Sequence, residues 1–149
     1  MNLSKNISIP NKKAKFEYAF LEEYSAGMVL TGTEIKSIRQ GKVNMSDAYC
    51  IFNGTELFVK NLNIAKYEMG THYNHEPLRE RKLLLNKREL KKLVNKLTDK
   101  GLTIIPTRLF IADSGIAKLE IALAKGKKLF DKRETIKERD VSRNYQRNE

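Results

Sequence analysis

The sequence predicts a mainly β protein, a small curved or closed sheet with helices plugging it. Three features carry that expectation. Ala117, Leu119, Ile121 and Leu123 alternate with Lys118, Glu120 and Ala122, the period of a half-buried strand. Asn53-Gly54 lies between two apolar runs, the strongest short hairpin signal. Helical signals are confined to one short and one longer stretch. Closing such a sheet would remove its exposed edges.

In chain order, residues 1 to 10 are polar and read as loose. Asn11-Lys-Lys-Ala-Lys15 reads as a short basic arm. Phe16, Tyr18 and Phe20 alternate with Glu17 and Ala19, so a strand is expected there, with a bend from Glu22 to Gly27. Met28, Val29 and Leu30 are strand-type and turn sharply into a short helix. Thr31 and Glu34 have capping-box spacing, and Gly41 supplies a left-handed stop. Ile35 and Ile38 would face the core, leaving Lys36, Ser37, Arg39 and Gln40 projecting outward. Such a helix reads equally as a dock for a folded RNA backbone and as a capped surface helix with solvated charges.

Ala48 to Phe52 and Glu56 to Lys60 form the two arms of the hairpin. Leu62 and Ile64 extend the second arm or begin another strand. Residues 66 to 80 form a long polar loop, a length often functional in a compact domain. Arg81 to Leu85 is a short strand candidate. Asn86 caps the next helix with Glu89 three residues on, and Leu90, Leu93, Val94 and Leu97 form its apolar stripe. Lys87, Arg88, Lys91, Lys92 and Lys96 occupy its outer face, and Gly101 ends it. Thr103 to Ala112 is β-rich but interrupted by Pro106, which implies an edge or a bulge. Asp113-Ser-Gly115 turns the chain into the closing strand.

Residues 1 to 124 therefore read as one domain. Residues 125 to 149 hold nine Lys/Arg and five acids and too few apolar side chains for a core. That composition predicts a tail disordered when free. Lys132, Ile136, Arg139, Arg143 and Arg147 would fall on one face if a partner made the tail helical.

A net charge of +11 and a pI near 9.7 point to a polyanion, whether RNA, DNA or acidic lipid. The lone Cys50 allows no disulfide within the chain and fits a reducing cytoplasm. Met1 to Pro10 has no apolar h-region, so no signal peptide is expected. No run of about 18 apolar residues could span a membrane. His72 and His75 are too few ligands for a zinc site, and no phosphate loop or nucleophile elbow is present. A metal-dependent nuclease would need Glu22, Glu23, Glu34 and Asp47 to gather, which their spacing does not demand. Phe16, Tyr18, Tyr49, Phe52 and Phe58 could stack bases, as in a general single-strand-binding barrel, or fill the core.

Five segments in order resemble the small protein B family, the SsrA-binding proteins of bacterial trans-translation. They are residues 11 to 14, Gly27 to Lys42, Tyr73 to Leu85, Pro106, and Ala124 to Arg133. The resemblance implies an oligonucleotide-binding-like closed antiparallel barrel of about six strands with two or three helices. It implies neither catalytic residues nor a cofactor. It implies binding of the tRNA-like end of transfer-messenger RNA, which is escorted with elongation factor Tu to stalled ribosomes. It assigns RNA recognition to Asn11, Lys12, Lys13, Glu34, Lys36, Ser37, Arg39, Arg81, Lys82, Lys125, Lys127 and Lys128. Asp131, Lys132, Arg133 and Arg139 of the tail are assigned to the ribosome. Residues 144 to 149 depart from the family in being short and weakly basic.

Overall fold

The computed structural model describes residues 7–70, 73–98 and 101–127. Residues 128–149 of the expected tail, with Lys128, Asp131, Lys132, Arg133 and Arg139, and also His72, lie outside the described residues. The first elements are β1 (Ser8–Pro10), α1 (Lys12–Glu17), β2 (Tyr18–Met28) and α2 (Gly32–Arg39). Next come β3 (Val43–Asn44), β4 (Tyr49–Asn53), β5 (Glu56–Lys60), β6 (Asn63–Ile64) and β7 (Arg81–Leu84). The last are α3 (Lys87–Lys96), β8 (Leu102–Ile111) and β9 (Ala117–Gly126).

Strands β8, β4, β5, β7, β2 and β9 neighbour one another in that order, and β9 returns to β8, making a ring of six. Its seams are unequal. β9 pairs along most of both β2 and β8. β4 pairs with β8 at Cys50–Ile104, and β7 pairs with β2 at Gly27–Leu84 and Met28–Leu83, continued by the Val29 amide on the Lys82 carbonyl at 3.1 Å. α3 reinforces the second thin seam. Leu93 enters the core fully buried, while Lys96 and Lys92 ion-pair with Glu22 of β2. The ring encloses Leu57, Leu62, Leu109, Leu119 and Ile121, each with no exposed surface. Cys50 faces this core, and burial pushes its thiol pKa up, so it is an inert packing residue.

Several expectations change. Residues 8–10, expected to be loose, form β1 on β8, and Phe16, expected in a strand, lies in α1. The basic arm is a helix, because the Asn11 side chain accepts from the Ala14 amide and caps it. α1 packs Ala14 on Ile105 and Ala124, so β9 is buried on both faces near its end. The bend expected at 22–27 is continuous strand, with a bulge between Phe20 and Glu22 taking up the irregularity. The hairpin turn sits one residue later than expected, with Asn53 paired to Glu56 and Gly54-Thr55 as its two central residues. Only Gly54 has positive φ there (+66°), so glycine occupies the first central position, as in a II′ turn. The last is α3, which stops at Lys96 rather than running to Gly101.

Other expectations hold. Both capping boxes form, at Thr31/Glu34 and Asn86/Glu89. Ile64 belongs to a separate short strand, reached through Asn61 at φ 59°. Pro106 marks a bulge in β8. The tail expected from residue 125 begins later, because the closing strand runs on through Lys125 to Gly126, paired with Ala19 and Tyr18.

Candidate nucleic-acid interface

The short helix α2 is held from below. Thr31 caps it, and Gly41 ends it at φ +72° with two reverse bonds: Gly41 N to Ile38 O at 2.8 Å and Lys42 N to Ser37 O at 3.1 Å. This is the Schellman arrangement, and it satisfies carbonyls that the helix end would leave free. Glu34, Ser37 and Ile38 form the buried face; Lys36, Arg39 and Gln40 lie on the other side of the helix.

Glu34 is the centre of the holding network. Its Oε1 accepts from the Thr31 amide at 2.8 Å and from Arg79 Nη2 at 2.6 Å. Its Oε2 accepts from Arg81 Nε. Arg81, also fully buried, donates to the carbonyls of Leu62 (2.5 Å) and Pro77 (3.1 Å). One carboxylate thus ties α2 to β7, and through Arg81 to Leu62 ahead of the long loop and Pro77 within it. Burial alone would raise the Glu34 pKa. The Arg79 bond, the Thr31 amide and Arg81 outweigh it and bring the pKa down to about 2. His75 adds a second tie. Its Nδ1 lies 2.9 Å from Thr33 Oγ1 and its Nε2 2.8 Å from the Ile64 carbonyl oxygen. That leaves no ring nitrogen for a metal, and no three metal-type side chains gather among the described residues.

Ser37, expected to project outward, is buried with no hydrogen bond to its hydroxyl, and Asn11, Glu34 and Arg81, which the resemblance assigns to RNA, are buried as well. Glu34, Ser37 and Arg81 have no accessible surface, and Asn11 is 5% exposed. Asn11 Nδ2 donates to the carbonyls of Met45 (3.1 Å) and Pro106 (2.9 Å), locking α1 onto the sheet. In this conformation none of the four presents a side chain to a macromolecule. One clue was readable: Glu34 and Ile38 are four apart and share a helix face. Arg79 was missed because an arginine in a polar loop carries no local sign of its distant partner.

The cations fall at two ends of β2. Lys36 and Arg39 belong to α2, which follows Met28; Lys36 Nζ lies 5.3 Å from the centre of the Tyr67 ring. Lys82, half-buried on β7, pairs with Glu56 at 3.4 Å. At the other end, Lys125 pairs in register with Ala19, and the Lys127 amide bonds the Glu17 carbonyl at 2.8 Å. Lys12 and Lys13 of α1 stand near them, Lys13 bonded to Asp47 at 3.1 Å. At most about 30 Å of extended strand separates the two groups.

A six-strand ring with cations displayed at two ends and anchored by buried polar ties defines a small basic β protein of the polyanion-binding class. The chain belongs to the SmpB protein family, which it matches over residues 8–149. The SsrA-binding protein of Flavobacterium psychrophilum is 62% identical over 143 residues, covering 96% of this chain and 95% of the relative. That of Cytophaga hutchinsonii is 61% identical, with 96% and 94% covered. A chain solved in work on tmRNA-SmpB and the bacterial ribosome is similar in fold, with a TM-score of 0.71 and 42% identity. The match covers 89% of this chain and 94% of that one.

Proposed function

We propose that the chain binds the tRNA-like part of transfer-messenger RNA and delivers it to stalled ribosomes, so that incomplete peptides are tagged. The observation that carries this reading is the likeness to the solved tmRNA-SmpB chain over nearly its whole length. In the finer reading the ring is an oligonucleotide-binding-like barrel and the protein acts in the cytoplasm as a binding partner without catalysis. The charged RNA arrives with elongation factor Tu. The ring domain holds RNA, and Asp131, Lys132, Arg133 and Arg139 of the tail engage the ribosome.

Lys12, Lys13, Lys36, Arg39, Lys82, Lys125, Lys127 and Lys128 contact phosphates in this reading. Asn11, Glu34 and Arg81 act by positioning, consistent with their burial and their hydrogen bonds. A competition at fixed salt tests the whole. A folded transfer-messenger RNA fragment should displace bound RNA far better than single-stranded RNA of equal length. Equal competition would leave a general single-strand binder.

Salt dependence tests the cations one at a time. If each side chain neutralises one phosphate, Lys36→Ala, Arg39→Ala and Lys125→Ala should each flatten the log–log salt slope by roughly 0.7–0.9. A slope unchanged in all three variants would remove these residues from the interface.

A further inference from the structure

A groove of about 600 Å³ opens between the β4–β5 turn, β7 and the edge of the apolar stripe of α3. Leu84, Leu85, Leu90 and Val94 line it, with the buried Leu57 and Leu83 beneath. Its volume lies within the range of binding clefts. Leu84 and Val94 remain 51% and 42% exposed, although each stands beside other apolar side chains. Lys82, Lys87 and Lys91 rim the groove, against a single acid, Glu56. Lys82 is paired with Glu56; Lys87 and Lys91 form no ion pair with a described residue.

We propose that this groove docks an acidic amphipathic segment of another protein, whose aliphatic side chains enter the leucine-lined floor while its carboxylates meet Lys87 and Lys91. The lining discriminates among occupants. RNA bases stack on aromatic rings or arginine planes, and neither residue type lines the groove. A second copy seated symmetrically would bring the same lysines together. Residues 128 to 149 carry seven Lys/Arg against five acids, and residues 1 to 6 carry one lysine and no acid, so neither terminus matches the basic rim. An amphipathic partner laid in an apolar groove satisfies both the aliphatic floor and the basic edge. The inference does not depend on the RNA reading.

Amide chemical shifts of the full-length protein provide the test. The probe is a synthetic peptide of about 14 residues with leucines at i, i+3, i+4 and i+7 and glutamates elsewhere. A scrambled peptide of the same composition is the control. The ordered peptide should shift Gly54, Leu84, Leu85 and Val94 and bind more tightly than the scrambled one. Val94→Glu should weaken it roughly tenfold or more, the scale of one buried aliphatic side chain. Lys91→Glu should weaken it more at low salt than at high salt. Equal binding by the scrambled peptide, or shifts confined to another face, would overturn the proposal. So would a single-stranded RNA that shifts the same amides at lower concentration, which makes the groove an RNA site. If deletion of residues 131–149 alone shifts those amides, the groove is occupied by the chain's own terminus, and the proposal fails.

Discussion

Glu34→Ala should destabilise the fold by about 3–5 kcal/mol, the cost of leaving a buried charge without its partner. Arg81 has no accessible surface and stays charged, so it cannot exchange Glu34 for water. The Thr31 amide loses its acceptor in the same step, and with it half of the capping box. Urea unfolding at neutral pH gives the measurement. A loss below about 1 kcal/mol would mean that the pair behaves like an exposed one, contrary to its burial.

The same carboxylate sets an acid limit. Its pKa in the fold is about 2, below the usual 4.5, so the folded state binds the proton less readily than the unfolded chain. The Glu34 contribution is therefore fully present above pH 4.5 and is lost as pH falls toward 2. The stability gap between the native protein and Glu34→Gln should shrink across that interval. A gap that stays constant over it would show that Glu34 does not titrate with a depressed pKa.

Truncation after Phe130 should leave affinity for transfer-messenger RNA within a few-fold and abolish peptide tagging on stalled ribosomes. Strand β9 ends at Gly126, so removing residues 131–149 takes away none of the described strands. The removed segment offers only Ile136, Val141 and Tyr145 as large apolar residues, too few to build a core. Its arginines and lysines would contribute where a ribosomal surface meets them, which an isolated RNA fragment lacks. Unfolding midpoints of the full and shortened chains should agree, which separates a functional loss from a folding defect. Tagging at the normal rate by the shortened chain would reduce the segment to a solubilising appendage.

Features with causes inside a few residues were legible in the sequence. Both capping boxes, the Gly41 stop, the apolar stripe of α3 and the bulge at Pro106 follow from local sterics and hydrogen bonding. The hairpin was legible too, but Asn53-Gly54 admits two turn registers, and the pairing of Asn53 with Glu56 selected one. The α1 helix was less so: its length is short, and Ala14 packing on Ala124 joins residues far apart in the chain.

Charge composition likewise came from the sequence, but which charges face outward did not. Residues 22–27 continue as strand because β9 pairs with them throughout, a pairing that local composition does not report. Glu34 turns inward because Arg81, 47 positions away, waits there with its remaining donors already engaged by carbonyls. A helix of eight residues chooses its buried face by what packs beneath it. The sequence by itself thus determined where α2 begins, where it ends and that cations surround it. Tertiary structure decided its rotation, which turned Glu34 and Ser37 inward and left Lys36 and Arg39 on the opposite side of the helix; it also set Arg81 beside Glu34 and Asn11 against the carbonyls of Met45 and Pro106. The physical reason is range: caps and turns are closed by near neighbours, whereas a buried charge is stable only beside a partner that the fold brings to it.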